Sequence, residues 1–315
     1  MRCRSLLLSL ASFLAITGPS AVRAEAYDIS GIEQQFRAQH LHQTYILRSF
    51  YQGRTLHFNV TGQPIDQPGA GDWTVDGVVE VDDVKVSSDL LWIRVRRLHL
   101  TWVGDYQLKE AHDLDKEGKP DPDESKNREL VIEADLGSSL ITAEAVDAAF
   151  ARIFLGSGDS FAEAVPEYWK RCVLTAVRAA NTESVPSGLS KGCRFSSTFL
   201  SVPGVASIKE DSAAQPVSAQ FFRVGAGVSP PRAMYSPEPE FSEPARKARF
   251  QGTATMSLVV SKEGLPTNIQ VLSPIGCGLD EKAIHAVERW KFQPAMKDGQ
   301  PVPVEIAVEV DFHLY

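Results

Sequence analysis

The sequence predicts an α+β protein with two parts. An N-terminal antiparallel β-meander, half-barrel-like and accompanied by helices, precedes a small two-layer domain in which a three-stranded antiparallel sheet packs on one helix. Three observations carry this. Short runs rich in Val, Ile, Leu and Trp alternate with Gly, Asp and Pro between Thr44 and Leu136. Two stretches after Thr142 repeat apolar residues at helical spacing. The last stretch alternates by twos, then by threes and fours, then by twos again. A chain of 315 residues with 43% hydrophobic content can bury one or two cores. Four segments are expected: a signal peptide over 1–24, a β-rich domain over 27–210, a Pro-containing linker over 211–239 and a final domain over 240–315.

At the N-terminus, Arg2 and Arg4 precede an apolar run from Leu6 to Ile16, a Gly18-Pro19 break, and small residues at Val22 and Ala24. That is the layout of a cleavable secretory signal. The run is shorter than the roughly 18 apolar residues a spanning helix needs. Export to the periplasm is the expectation, and an uncleaved inner-membrane anchor the alternative. Cleavage would remove three arginines, Arg2, Arg4 and Arg23, and take the formal charge from −8 to −11. An acidic chain without a basic stripe argues against nucleic acid as a partner. Export also lets cysteines pair. Cys172 with Cys193 is the preferred disulfide, since both fall in the first domain, and two buried free thiols are the other reading.

The first domain is expected to open with a helix over 32–41. Strands follow over 44–51, 55–60, 73–86, 90–103 and 129–136. In the fourth run the alternation slips between Val95 and Leu98, which predicts a bulge. Thr142 caps one helix and Pro166 opens another, where its missing N–H is harmless. A curved sheet of this kind could hold an apolar ligand.

In the final domain, TATMSLVV places Ala254, Met256, Leu258 and Val260 on one side, and a short strand follows near Asn268 to Leu272. GLDEKAIHAVERW carries one apolar stripe, with Asp280 and Glu281 at the positive end of the helix dipole and Arg289 and Lys291 at the negative end. The chain finishes as PVPVEIAVEVDF, with Val304, Ile306, Val308, Val310 and Phe312 opposite Glu305, Ala307, Glu309 and Asp311.

Within this order, PEFSEPARKARFQGTATMSLVVSKEGLP, then GLDEKAIHAVERWKFQPAMKDGQPV, then VEVDF resemble the TonB C-terminal domain over roughly Val228 to Tyr315, a little over a quarter of the chain. The Leu-Asp-Glu helix start, Trp290-Lys291-Phe292-x-Pro294-Ala295 and the Asp298-Gly299 turn occur in the family's order. Phe241-Ser242 stands where many members carry Tyr-Pro, and Cys277 is unexpected. The resemblance implies a unit that pairs its exposed edge strand with an extended peptide, the TonB box of an outer-membrane transporter, in support of energy-dependent transport. The docking edge would be Val304, Glu305, Ile306, Ala307, Val308, Glu309 and Val310. Such an edge offers unpaired N–H and C=O groups, and it could equally pair with a second copy of the chain. Two further readings are an anchored energy transducer and a periplasmic ligand carrier that dimerises through its C-terminal domain.

No catalytic constellation, cofactor motif or Cys/His zinc spacing is present in the sequence, so a non-enzymatic protein is expected. DLDKEGKPDPDE, from Asp113 to Glu124, places acids at the ligand positions of a calcium loop. Pro120 and Glu117 break the pattern, and a solvated acidic hairpin is the favoured reading. Gly156 to Ser160 lacks both nucleophile-elbow spacing and a P-loop lysine, and reads as an inter-helix turn. The seven histidines are scattered.

Overall fold

The computed structural model describes residues 28–103, 107–137, 140–181, 193–207 and 221–314. The expected signal segment and residues 211–220 of the expected linker lie outside them.

Asp28 starts α1 (Ile29–His40) by accepting the Gly31 N–H, and the helix buries Phe36 and His40. The chain continues through β1 (Thr44–Ile46), β2 (Thr55–Phe58), one π-helical turn at Trp73–Gly77, β3 (Val78–Val86), β4 (Leu90–Arg97), β5 (Leu100–Val103) and β6 (Gln107–Glu110). Then come α2 (Glu124–Asn127), β7 (Glu129–Asp135), α3 (Ala143–Ile153), α4 (Phe161–Ala164), α5 (Glu167–Asn181) and α6 (Ser197–Leu200). Five strands form an open sheet in the order β1-β3-β4-β7-β2. It does not close into a barrel, and it is not a pure meander: β2 runs parallel to β7, while the other pairs are antiparallel.

The run expected over 90–103 is two strands. Arg97 ends β4 by turning inward, where its guanidinium donates to the Gly53 and Tyr51 carbonyls and lies 3.1 Å from Asp76. The slipped alternation therefore marks a departure from the sheet, and the irregular register falls instead in β3, between Val81 and Asp83. Once out of the sheet, β5 pairs with β6. The first residues of the run expected over 73–86 form the π-helical turn, which drives Trp73 into the core. Its ring meets Phe161 and Trp169 edge-on at 5.0 and 5.2 Å, and Trp102 stacks on Trp169 at 5.7 Å.

Cys172 on α5 is joined to Cys193, their Cα atoms 5.4 Å apart, which closes a sequence separation of 21 residues. The Cys193 sulfur lies 3.4 Å from the Leu272 carbonyl oxygen. Replacing both cysteines by serine is expected to cost about 3 kcal/mol of stability, chiefly by freeing the unfolded chain. Urea unfolding with and without reductant measures this, and an unchanged midpoint would show the bridge to be neutral.

Residues 221–239, expected as linker, carry β8 (Phe222–Arg223) and β9 (Arg232–Tyr235). Strands this short, with β9 exposed along its length, leave no apolar periodicity to read. Beyond them lie α7 (Glu243–Lys247), β10 (Gly252–Val260), β11 (Pro266–Ser273), α8 (Leu279–Val287), β12 (Lys291–Gln293), β13 (Ala295–Lys297), β14 (Gln300–Val302) and β15 (Val304–Phe312). The expected three-stranded antiparallel sheet is β11-β10-β15, and β8 adds to it in parallel. β9 pairs with β12, and β13 with β14.

One apolar core runs through both parts of the chain. The loop before α8 pairs with β5: Trp102 N–H donates to the Ile275 carbonyl at 3.0 Å, and Cys277 N–H to the Leu100 carbonyl at 2.7 Å. Gly276 is required here, because a Cβ would sit 2.3 Å from the Leu100 oxygen and its φ is +86°. Cys277 is fully buried at this junction, which gives the unexpected residue a packing role.

Candidate functional site

β15 pairs with β10 along its whole length in unbroken register, from Val304 opposite Val260 to Phe312 opposite Gly252. All seven residues of the expected docking edge lie on it. Among the described residues its other border is paired only where β8 meets Val304 and Glu305. From Ile306 onward that border carries no strand among the described residues. The sheet's opposite border is covered: α5 packs along β11, reaching Glu281 of α8 through Trp169 and approaching Ser257 and Glu305 through Arg171.

The two faces of β15 differ. Val304, Val310 and Phe312 are buried, with Ile306 and Val308 half-buried on the same face. On the other face Ala307, Glu309 and Asp311 are exposed. Glu305 lies between Arg171 and Arg223 at 3.7 and 4.0 Å. The β8 strand that occupies one end of this border was invisible in the sequence.

A cleft of about 550 Å³ opens in the N-terminal part. Apolar Val78, Leu98, Leu100 and Phe199 line it together with His42, Glu80, Lys109 and Glu110. Arg96 ties Glu110 at 2.7 Å to Glu80 at 3.1 Å beside it.

The acidic loop turns its carboxylates to protein partners. Asp113 Oδ1 and Glu124 Oε1 meet the fully buried Arg128 guanidinium at 2.8 and 2.6 Å. Glu124 also accepts the Asp113 N–H, Asp115 accepts N–H groups of Glu117 and Lys119, and Asp121 accepts that of Asp123. Burial opposes the Asp113 charge, yet His99 and Arg128 outweigh it and hold the carboxyl down at about 2. In the inter-helix turn, Asp159 accepts the Gly156 N–H and binds Arg48.

Sequence reasoning missed a set of buried acids at the start of α8. Asp280 and Glu281 are almost completely buried. Asp280 accepts the Gly276 N–H at 2.7 Å and the Ile275 N–H at 3.1 Å, and Trp169 donates to Glu281 at 2.6 Å. Burial pushes Asp280 up to about 7 against the pull of these N–H groups, with Asp72 adding repulsion. Burial, reinforced by Asp72 and Asp280, raises Glu281 well above the usual carboxylate range. Asp72 rises to about 6 through burial and Asp76, with Lys282 and His285 pulling it back.

The C-terminal part thus defines a small α+β unit, one helix on a three-stranded antiparallel sheet with a partly open border. Residues 237–314 match the family described as Gram-negative bacterial TonB protein C-terminal, and they form a TonB C-terminal domain. Protein tonB2 of Pseudomonas aeruginosa is 33% identical over 82 residues, covering 26% of this chain and 30% of that protein. Protein TonB of Vibrio cholerae serotype O1 is 33% identical over 78 residues, 24% of this chain and 32% of that protein. The match spans about a third or less of these relatives' length. The solution NMR structure of the Pseudomonas aeruginosa TonB CTD is 20% identical, with a TM-score of 0.24, and covers 29% of this chain and 89% of that one. Among the described residues no helix is long and apolar enough to cross a membrane.

Proposed function

We propose that this protein works in the cell envelope in energy-dependent transmembrane transport, and that its TonB C-terminal domain docks an extended peptide of an outer-membrane transporter along β15. The observation that carries the reading is the border of β15, occupied by β8 only at Val304 and Glu305. An added strand would satisfy its backbone groups, and the half-buried Ile306 and Val308 would take the peptide's apolar side chains. The opposite border, with α5 along it, is closed to such pairing.

A photo-crosslinking residue at Ala307, in the protein expressed in a Gram-negative host, is expected to yield adducts with the periplasm-facing peptide of an outer-membrane transporter. The same residue at Thr267, exposed on β11, serves as the control. Equal adducts from both positions, or none to any outer-membrane transporter, would remove this reading. The 550 Å³ cleft favours a second reading, in which the N-terminal part carries a small ligand while the C-terminal domain docks.

A further inference from the structure

Resting on that edge-docking reading, we propose that the strand received by β15 is an apolar–basic alternating peptide, with Lys or Arg at every second position facing Glu309 and Asp311. The backbone geometry sets the frame. Phe222 N–H donates to the Pro303 carbonyl across the β8 side, and N–H and C=O groups of alternate residues in a strand point to the same border. With the unbroken β10 register, Ala307, Glu309 and Asp311 therefore direct their N–H and C=O groups toward the open border. Directly opposed residues of neighbouring strands share a face. One face of the incoming strand thus lies beside Ile306, Val308 and Val310, and its other face beside Ala307, Glu309 and Asp311.

Charge then selects the partner. Glu305 has Arg171 and Arg223 near it, whereas Glu309 and Asp311 form no ion pair among the described residues. Asp311 is held in place by the Thr253 hydroxyl. Opposite charges across a strand pair stabilise, and like charges directly opposed destabilise. A peptide with acids on this face is disfavoured. A second copy of β15 is disfavoured for the same reason: antiparallel pairing centred on Glu309 sets Glu309 against its own copy and brings Asp311 beside Ala307. Lys or Arg neutralises both acids and lays its methylene stem over Ala307, whose small side chain leaves room.

Fluorescence anisotropy with the purified full chain tests this, using octapeptides that alternate Val with Lys, Val with Thr and Val with Glu. A Pro-Lys peptide of the same charge as Val-Lys is the fourth probe. Val-Lys is expected to bind about tenfold more tightly than Val-Glu, with Val-Thr between, from two cross-strand charge pairs. The gap narrows in 0.5 M salt, where the Debye length drops to roughly 4 Å. Glu309→Lys with Asp311→Lys, in a protein with unchanged far-UV circular dichroism, is expected to reverse the order. Equal affinity for the three Val peptides overturns the charge selection and leaves edge docking standing. Binding of Pro-Lys as tight as that of Val-Lys would trace the effect to the acidic chain as a whole and overturn the proposal. If neither Val-Lys nor Val-Thr binds, both the proposal and the edge-docking reading fail. A concentration-dependent dimer that excludes the peptides would identify the occupant as a second copy and overturn the proposal as well.

Discussion

Replacing Arg128 by Met is expected to lower the unfolding free energy by about 3–5 kcal/mol, because it strands a buried carboxylate. The Arg128 side chain is fully buried, and it touches Asp113, Glu124 and Glu110 while donating to the Ala111 carbonyl. Asp113 is 1% exposed, and among the described residues its next ionisable partner is the His99 ring at 3.8 Å, which burial biases toward the neutral form. The double variant Arg128→Met with Asp113→Asn removes the stranded charge and is expected to recover at least half of the loss. Urea denaturation of wild type and both variants measures this, and a single variant within about 1 kcal/mol of wild type would show that the network is dispensable. The acid limb has a defined sign. The folded Asp113 carboxyl, at about 2, lies below its unfolded value, so its contribution is present above about pH 4 and is lost as pH falls toward 2. By linkage it amounts to about 2 kcal/mol.

The second large effect has the opposite sign. Stability is expected to fall by about 4 kcal/mol between pH 5 and pH 8 as Asp280 and Asp72 ionise in the folded state. Their folded pKa values, about 7 and about 6, exceed those of the unfolded chain. The contribution is therefore complete below the unfolded value and is lost as pH rises through the folded one. Around them lie Asp76 and Arg97 from the N-terminal part, Glu281, Lys282 and His285 on α8, and Tyr168 and Trp169 on α5. Burial holds Tyr168 well above its ordinary range, helped by Glu281 and Asp72, so it stays protonated throughout this window. Asp280→Asn removes the largest share of the slope while its carbonyl oxygen still accepts from Gly276. A flat urea midpoint between pH 5 and 8 in the wild type would refute the account.

The elements legible in the sequence were those with a long, one-sided pattern. VEIAVEVDF alternates over nine residues and forms β15, and Thr142 caps α3 through its hydroxyl. The features that escaped have local substitutes for their true environment. Asp280 and Glu281 satisfy the helix dipole wherever they lie, so nothing in LDEKA signals that α5 and the π-helical turn enclose them. The pattern of β2 does not state its direction, and only its pairing with β7 reveals the parallel register. Two residues of β8 are below the length at which any periodicity exists. Part of the candidate edge was thus readable from β15 alone, while its partial closure by β8 and the guarding of the opposite border by α5 depend on contacts far apart in the chain.

The pairing of β5 with the loop before α8 also bears on how the molecule is assembled. The Thr101 hydroxyl donates to the Ile275 carbonyl across 174 positions of sequence, and contacts of such separation form slowly because the loop must close before they repay it. During synthesis the N-terminal part emerges first. Trp169, whose indole N–H donates to Glu281 of α8, then waits for the last quarter of the polypeptide to supply that partner. The tail is therefore a folding partner in its own right: a product that ends after the first part lacks the partners of the Trp169 indole and of the β5 backbone, and is expected to be degraded faster than the whole chain.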